Sequence, residues 1–191
     1  KPDGAMFPSH ATMFLGAITY EEDRITKVGE YAASMHDWAQ FTDEMTKYYN
    51  INMSPLDTHF DREQAQYYIY SGLWTELRPE HVVGQPAVIK RLGLNTCTIA
   101  DALGVDKIPY SITVPFPTTV SGFAGWFTVD FAGSVANPCQ KRVTLSTGPE
   151  AGYTHWGQQV FYMQNAITAA PDTVLAGEVA MIRQDENKRL Y

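Results

Sequence analysis

The chain has 191 residues, 45% of them apolar, enough for one good-sized domain, or one domain with a large insertion, to bury a core. A formal charge of −7 with no block of like-signed residues argues against nucleic acid or an anionic membrane surface as partner and favours a basic one. No apolar run is long enough to span a bilayer, and Lys1-Pro2-Asp3-Gly4 does not open a signal peptide, so the chain reads as intracellular, in cytoplasm or nucleus.

Met13, Phe14, Leu15 and Ile18 form an apolar run ending at Glu21-Glu22-Asp23, as a strand entering a helix whose dipole favours carboxylates at its start. Tyr31, Met35, Trp38, Phe41 or Thr42, Met45 and Tyr48 or Tyr49 recur at steps of three and four, one stripe of an amphipathic helix that Asn50 and Pro55 end. A second short helix is predicted across Arg62 to Leu77, carrying Tyr67, Tyr68, Tyr70, Leu73 and Trp74 and closed by Pro79. Ten of the 24 aromatic residues lie between Tyr31 and Trp74; two short helices cannot bury so many against each other and need another surface.

Beyond Pro86 the pattern changes to short strands separated by Gly, Pro and Asn. Ile112, Val114 and Phe116 alternate with Ser111, Thr113 and Pro115, and Phe127, Val129 and Phe131 alternate with Trp126, Thr128 and Asp130, each with one apolar face. Val143 and Leu145, Gln159 to Met163, and Leu175 to Ile182 continue the series, with a helical turn at Ala100 to Leu103 and loops at Asn137-Pro138-Cys139 and Thr147-Gly148-Pro149. Many short strands at this spacing favour closure, which removes sheet edges. The expected fold is mainly β: an antiparallel β-barrel formed by residues 1–21 and 81–191, with an α-helical arm, 22–80, inserted in it.

Motif searches narrow the chemistry. There is no GxGxxG or P-loop to cradle a phosphate, no HExxH and no GxSxG. His36 with Asp37 and His59 with Asp61 lack a third ligand and read as solvated surface; Cys97 and Cys139 form no CxxC and read as free thiols. No metal site is expected. The segment from Ser146 to Met163 runs strand, loop, strand and sets His155 beside Trp156 at the loop's end. Two readings stand: the pair binds a ligand, or the imidazole caps a turn while the indole covers the barrel mouth.

Leu145-Ser146-Thr147-Gly148-Pro149, then Thr154-His155-Trp156 and a Gln-x-Val-Phe-Tyr strand, resemble the THW loop of protein arginine N-methyltransferases. Lys1 to Phe14 is similar to that family's passage from methyltransferase domain to barrel, Tyr48 to Leu56 to its YGxDMSxL arm segment, and Gly122 to Phe131 to its GxxxWFDVxF strand. The matches span nearly the whole chain in order. Asp37-Trp38-Ala39-Gln40-Phe41 and Glu63 to Ile69, in an unusually long arm, look closest to the plant-type branch of type I enzymes. Three positions depart from the family's pattern: His10 stands where Arg is common, Asn52 where Asp is usual, and Asn50 where Gly is usual.

The resemblance implies a Rossmann-like domain upstream that binds S-adenosylmethionine and carries the paired glutamates gripping the substrate guanidinium. This chain would then hold no catalytic and no cofactor-binding residue, and alone would be inactive. His155 would hydrogen-bond an acidic residue of the upstream domain, Trp156 would shape the arginine slot, and Thr154 would fix the loop. The arm would dock on a second subunit to form a homodimer, with Trp38, Phe41, Met45, Tyr48, Tyr49 and Met53 at the interface. The substrates would be Arg- and Gly-rich protein tails, histone tails among them, monomethylated and then asymmetrically dimethylated. Two other readings remain: a catalytically silent subunit that activates a true methyltransferase, and an unrelated β-barrel binding module with a pocket lined by Trp126, Tyr153 and Trp156.

Overall fold

The computed structural model describes residues 4–183; Lys1-Pro2-Asp3 and residues 184–191 lie outside them. The spine is β5 (Thr118–Gly133), whose 16 residues give it about 50 Å of edge on each side. β1 (His10–Ile18) pairs along one edge, Ile18 opposite Gly122 and His10 opposite Asp130. The other edge is shared: β7 (Gln158–Ala169) takes the first half and β6 (Pro138–Ser146) the second. β3 (Val82–Gly93) extends the sheet beyond β1, and β2 (Leu73–Thr75) extends it beyond β7. β4 (Gly104–Thr113) and β8 (Val174–Ile182) form a separate antiparallel ribbon.

Ribbon and sheet enclose the barrel core of Ala17, Val83, Ile112, Val114, Val120, Ala169 and Leu175. Backbone bonds extend the ribbon past its last ladder pair: the Val114 and Asp172 N–H groups donate to the carbonyls of Thr173 and Val114 at 2.9 and 2.8 Å. Where β3 meets β4, Gly84 adopts φ 69° and the Thr113 carbonyl oxygen lies 2.3 Å from where a Cβ would stand.

Successive side chains on a strand point to opposite faces, and the other face of the sheet is covered too. Ile18, Leu77, Ala124, Trp126, Val160 and Tyr162 form a second core there, flanked by Phe14, Tyr20, Leu73 and Val82. This corrects the expectation of one polar face on β5: Trp126 is only 8% exposed and stacks on Phe14, because the chain on either side of the arm folds back over that face.

The arm begins with α1 (Glu21–Tyr49), about 43 Å long and opened by Glu21, Glu22 and Asp23. It ends at Asn50 in the left-handed region, φ 55°, which Asn reaches more easily than most residues. The second helix differs from expectation. α2 covers Asp57–Ala65, a π-helical turn follows at Gln66–Tyr70, and Leu73-Trp74-Thr75 leaves the helix altogether as β2. Gly72 breaks the helical run, and the free edge of β7 supplies ladder partners that a solvated helical turn would lack.

α1 and α2 form an antiparallel hairpin zipped by polar contacts on one helical face. The Tyr31 hydroxyl bonds the Asp61 carboxylate, Ser34 Oγ donates to Gln64 Oε1 at 2.8 Å, and Trp38 Nε1 donates to Asp57 Oδ1 at 2.8 Å. No residue of α1 is fully buried, so this chain leaves much of the arm's apolar surface uncovered. Among the described residues no helix is long and apolar enough to cross a membrane.

At its root the arm is bolted to the barrel. Arg24 pairs with Glu21 and donates to the Gln164 carbonyl at 2.7 Å, buried Ser121 bridges Glu21 and the Tyr20 N–H, and Tyr162 donates to Asp23 at 2.6 Å. The Arg24 guanidinium holds the Glu21 carboxyl below its usual range, and burial, reinforced by Asp23, pushes the Tyr162 hydroxyl up. Buried His81 stacks on Tyr20 at 4.2 Å, and its Nδ1 accepts the Arg78 N–H at 3.2 Å. Burial lowers the pKa of this imidazole, so it is native in the neutral form. Its contribution is full above the unfolded value of about 6.5 and is lost as pH falls through the native one. The urea midpoint of the wild type is therefore expected to fall more steeply from about pH 7.5 to 5 than that of His81→Phe, which keeps the stack; parallel midpoints would refute this.

Candidate functional site

The loop joining β6 to β7 is anchored at both ends. At the first, buried Thr147 is clamped to the middle of β5, between the β7 and β6 ladders: its N–H and Oγ1 donate to the Phe127 carbonyl at 3.0 and 2.9 Å, and its Oγ1 accepts the Phe127 N–H at 3.1 Å. A 3-10 turn over Pro149–Ala151 follows, stabilised by Ser146 Oγ donating to Glu150 at 2.6 Å. At the far end the Gly157 N–H donates to the Thr154 carbonyl at 3.2 Å and closes a tight turn around His155 and Trp156. Gln158, 2% exposed, locks that end: its Nε2 donates to the Thr147 carbonyl and its Oε1 accepts the Leu77 N–H, both at 2.7 Å.

This frame presents two rings outward. His155 is exposed and Trp156 is 53% exposed; the rings lie 6.0 Å apart at 80°, and Trp156 rests edge-on against Phe127, also at 6.0 Å. Phe127 lies within β5, paired with Met13 of β1, so Trp156 rests on the central strand of the sheet. Thr154 acts otherwise than by its side chain: its main-chain carbonyl closes the turn, while its hydroxyl is screened from solvent and has no hydrogen-bond partner among the described residues.

Trp126, Tyr153 and Trp156 do not line one pocket. Trp126 is buried on the opposite face of β5 from Phe127, which carries Trp156, and Tyr153 is 70% exposed. An open cleft of about 860 Å³ lies near Met6, His10, Asn95 and Arg142 and contains none of Thr154, His155, Trp156 or the arm residues proposed for the interface.

The arm residues separate into two groups. Trp38 turns inward, stacked on Phe60 at 4.3 Å and tilted against Phe41 at 5.6 Å, so it orders the hairpin. Phe41, Tyr48 and Tyr49 are exposed, and Met45 and Met53 are half-buried. His36, Asp37 and His59 are also exposed; among the described residues no cluster of three metal-ligating side chains occurs, and both cysteines are free. Sequence reasoning missed Thr147, Gln158 and the root cluster of Arg24, Ser121 and Tyr162. Their signal is weak because isolated polar residues default to the surface.

The chain is an antiparallel barrel that carries a helical hairpin between β1 and β2 and presents an outward His-Trp turn from the β6–β7 loop. The sequence model of the arginine methyltransferase oligomerization subdomain matches residues 9–191, and the chain belongs to that family. It is 38% identical to protein arginine N-methyltransferase PRMT10 of Arabidopsis thaliana over 192 residues, covering 100% of this chain and 50% of that protein. To PRMT10 of Oryza sativa subsp. japonica it is 37% identical, with the same coverage. The crystal structure of Arabidopsis PRMT10, described as uniquely open, superposes with a TM-score of 0.94 at 35% identity over 99% of this chain and 54% of that one. A PRMT6 structure, 18% identical over 97% of this chain and 53% of its own with a TM-score of 0.59, shares the fold. The chain spans about half the length of the curated relatives it matches.

Proposed function

We propose that this chain is the barrel and dimerisation arm of an S-adenosylmethionine-dependent protein arginine N-methyltransferase, with residues 1–21 and 81–191 as substrate-side barrel and 22–80 as arm. The observation that carries the reading is the His155-Trp156 turn, fastened by buried hydrogen bonds on either side yet presenting both rings outward. This bonded frame holds out two rings whose ring contacts are with each other and with Phe127, leaving His155 exposed and Trp156 half exposed, which is how a surface is prepared for a partner.

His155 bonds a carboxylate of the upstream domain, and Trp156 packs along the arginine side chain, where an indole face favours a guanidinium. Both orient the substrate. The guanidinium sheds one proton for each methyl group it gains, and in this reading that proton leaves on the side of the upstream domain's carboxylates, with the two rings of this chain supplying alignment only. The described residues of this chain do not fit S-adenosylmethionine: the N-terminus of α1 is filled by Glu21, Glu22 and Asp23, with Glu21 and Asp23 bonded into the arm root. The cofactor is therefore held by the upstream domain, and this chain alone is inactive. The substrates are Arg- and Gly-rich tails, histone tails included, drawn by a charge of −7 whose effect salt screens. The products are mono- and asymmetrically dimethylated arginine, and the setting is cytoplasm or nucleus.

The arm holds a second subunit through Phe41, Met45, Tyr48, Tyr49 and Met53, with Trp38 stiffening the hairpin behind them. In the full-length protein, the triple substitution Phe41→Ala, Tyr48→Ala and Tyr49→Ala is expected to weaken dimerisation by about 100-fold or more, since exposed aromatics at an interface centre are worth about 1–3 kcal/mol each. Sedimentation velocity across a dilution series measures it. A triple variant that stays dimeric at every dilution where the wild type does would remove the arm from the interface.

A further inference from the structure

The far end of the His155-Trp156 turn is held by residues that the arm returns to the barrel. After the π-helical turn, whose Ile69 is 5% exposed, the chain forms β2 and then runs to Leu77, 3% exposed in the second core. Two side chains join this return limb to the turn. The Trp74 indole lies so close to Gly157 that a Cβ there would stand 2.5 Å from it, and Gly157 adopts φ 54°, so both its backbone angle and its neighbour require glycine. Next to it, the buried Gln158 amide spans the Leu77 N–H and the Thr147 carbonyl. A glutamine amide is donor and acceptor at once, and here each end serves a different stretch of backbone.

We propose that Gln158 and Trp74 are positioning residues that register the His155-Trp156 turn against the return limb of the arm, so that the seating of the arm sets how the two rings are presented. The contacts are contiguous from arm to turn: the π-helical turn continues into β2, Trp74 touches Gly157, Leu77 bonds Gln158, and Gly157 closes on Thr154. Neither residue touches the arginine; both act through the turn. The inference rests on the reading of that turn as a wall of the arginine slot.

The test uses the full-length methyltransferase containing this chain. Gln158→Met keeps the side chain's length and removes both bonds; Trp74→Ala removes the contact with Gly157. Each is compared with wild type and with Trp156→Ala for kcat and KM toward an arginine peptide, for KM toward S-adenosylmethionine, and for the 19F resonance of fluorotryptophan at position 156, assigned by its loss in Trp156→Phe. Each is expected to raise peptide KM by about tenfold, leave the S-adenosylmethionine KM within about twofold and shift the Trp156 resonance, while adding little on top of Trp156→Ala. Wild-type peptide KM and an unmoved resonance in a folded Gln158→Met protein would overturn the proposal. If that variant does not fold, Trp74→Ala decides by the same readings. Should Trp156→Ala leave peptide KM unchanged while the resonance still moves in the positioning variants, the registration stands and the slot reading falls.

Discussion

Trp156→Ala in the full-length protein is expected to lower kcat/KM for an arginine peptide by about 100-fold, with S-adenosylmethionine affinity and dimer mass unchanged. The indole is half exposed and leans only on the edge of Phe127 and on His155, so its loss opens no cavity in either core. What it removes is a face for the guanidinium, worth about 2 kcal/mol when water is excluded, and the alignment that this face enforces. Together these amount to about 2.7 kcal/mol in the transition state. Trp156→Phe retains a smaller face and is expected to recover part of the loss. Steady-state kinetics under subsaturating peptide measure the effect, and wild-type kcat/KM in Trp156→Ala would sink the assignment of this ring to the substrate slot.

Gly84→Ala is expected to destabilise the barrel by about 3 kcal/mol. Two costs coincide at this position: a left-handed backbone angle costs a non-glycine residue about 1 kcal/mol, and overpacking costs about 1–3 kcal/mol. The overpacking is at the severe end because the obstacle is the Thr113 carbonyl oxygen, 2.3 Å from the new Cβ, and backbone cannot rotate away as a flexible side chain does. Relief would need β3 and β4 to part, which opens the core around Val83, Ile112 and Val114 to water. Gly29→Ala, on the exposed arm helix with no atom within 4 Å of its new Cβ, is the control and is expected to be neutral or stabilising. Urea midpoints of the two variants measure the contrast; equal midpoints would mean that the β3–β4 seam bears no strain.

Much of this architecture was legible in the order of residues because it follows from local rules. The step of three and four from Tyr31 to Tyr49 demanded a helix, Asn50 ended it, and α1 runs from Glu21 to Tyr49. The alternation along 126–131 demanded a strand, and β5 covers it. The crowd of aromatics between Tyr31 and Trp74 demanded a further surface, and Phe41, Tyr48 and Tyr49 are exposed on the arm. Motif order across the whole chain also pointed to the arginine methyltransferases, the family whose oligomerisation subdomain this is.

Other features depend on contacts between residues far apart in sequence, and no local pattern encodes them. Alternation tells which side chains share a face of β5 but not that both faces are covered: it puts Trp126 on the outward face, whereas Phe14 stacks on it and Leu77 shares its buried cluster. Helical spacing put Leu73 and Trp74 on a helix; the unpaired edge of β7, more than eighty residues on, offered ladder partners and made them a strand. Trp38 and Phe41 look alike in the stripe, yet Phe60 and Asp57 across the hairpin claim the first and leave the second exposed. Gln158 is the clearest case: a polar residue defaults to the surface, and it is buried here because the carbonyl of Thr147 and the N–H of Leu77 meet at one point in space and need a single group to satisfy both.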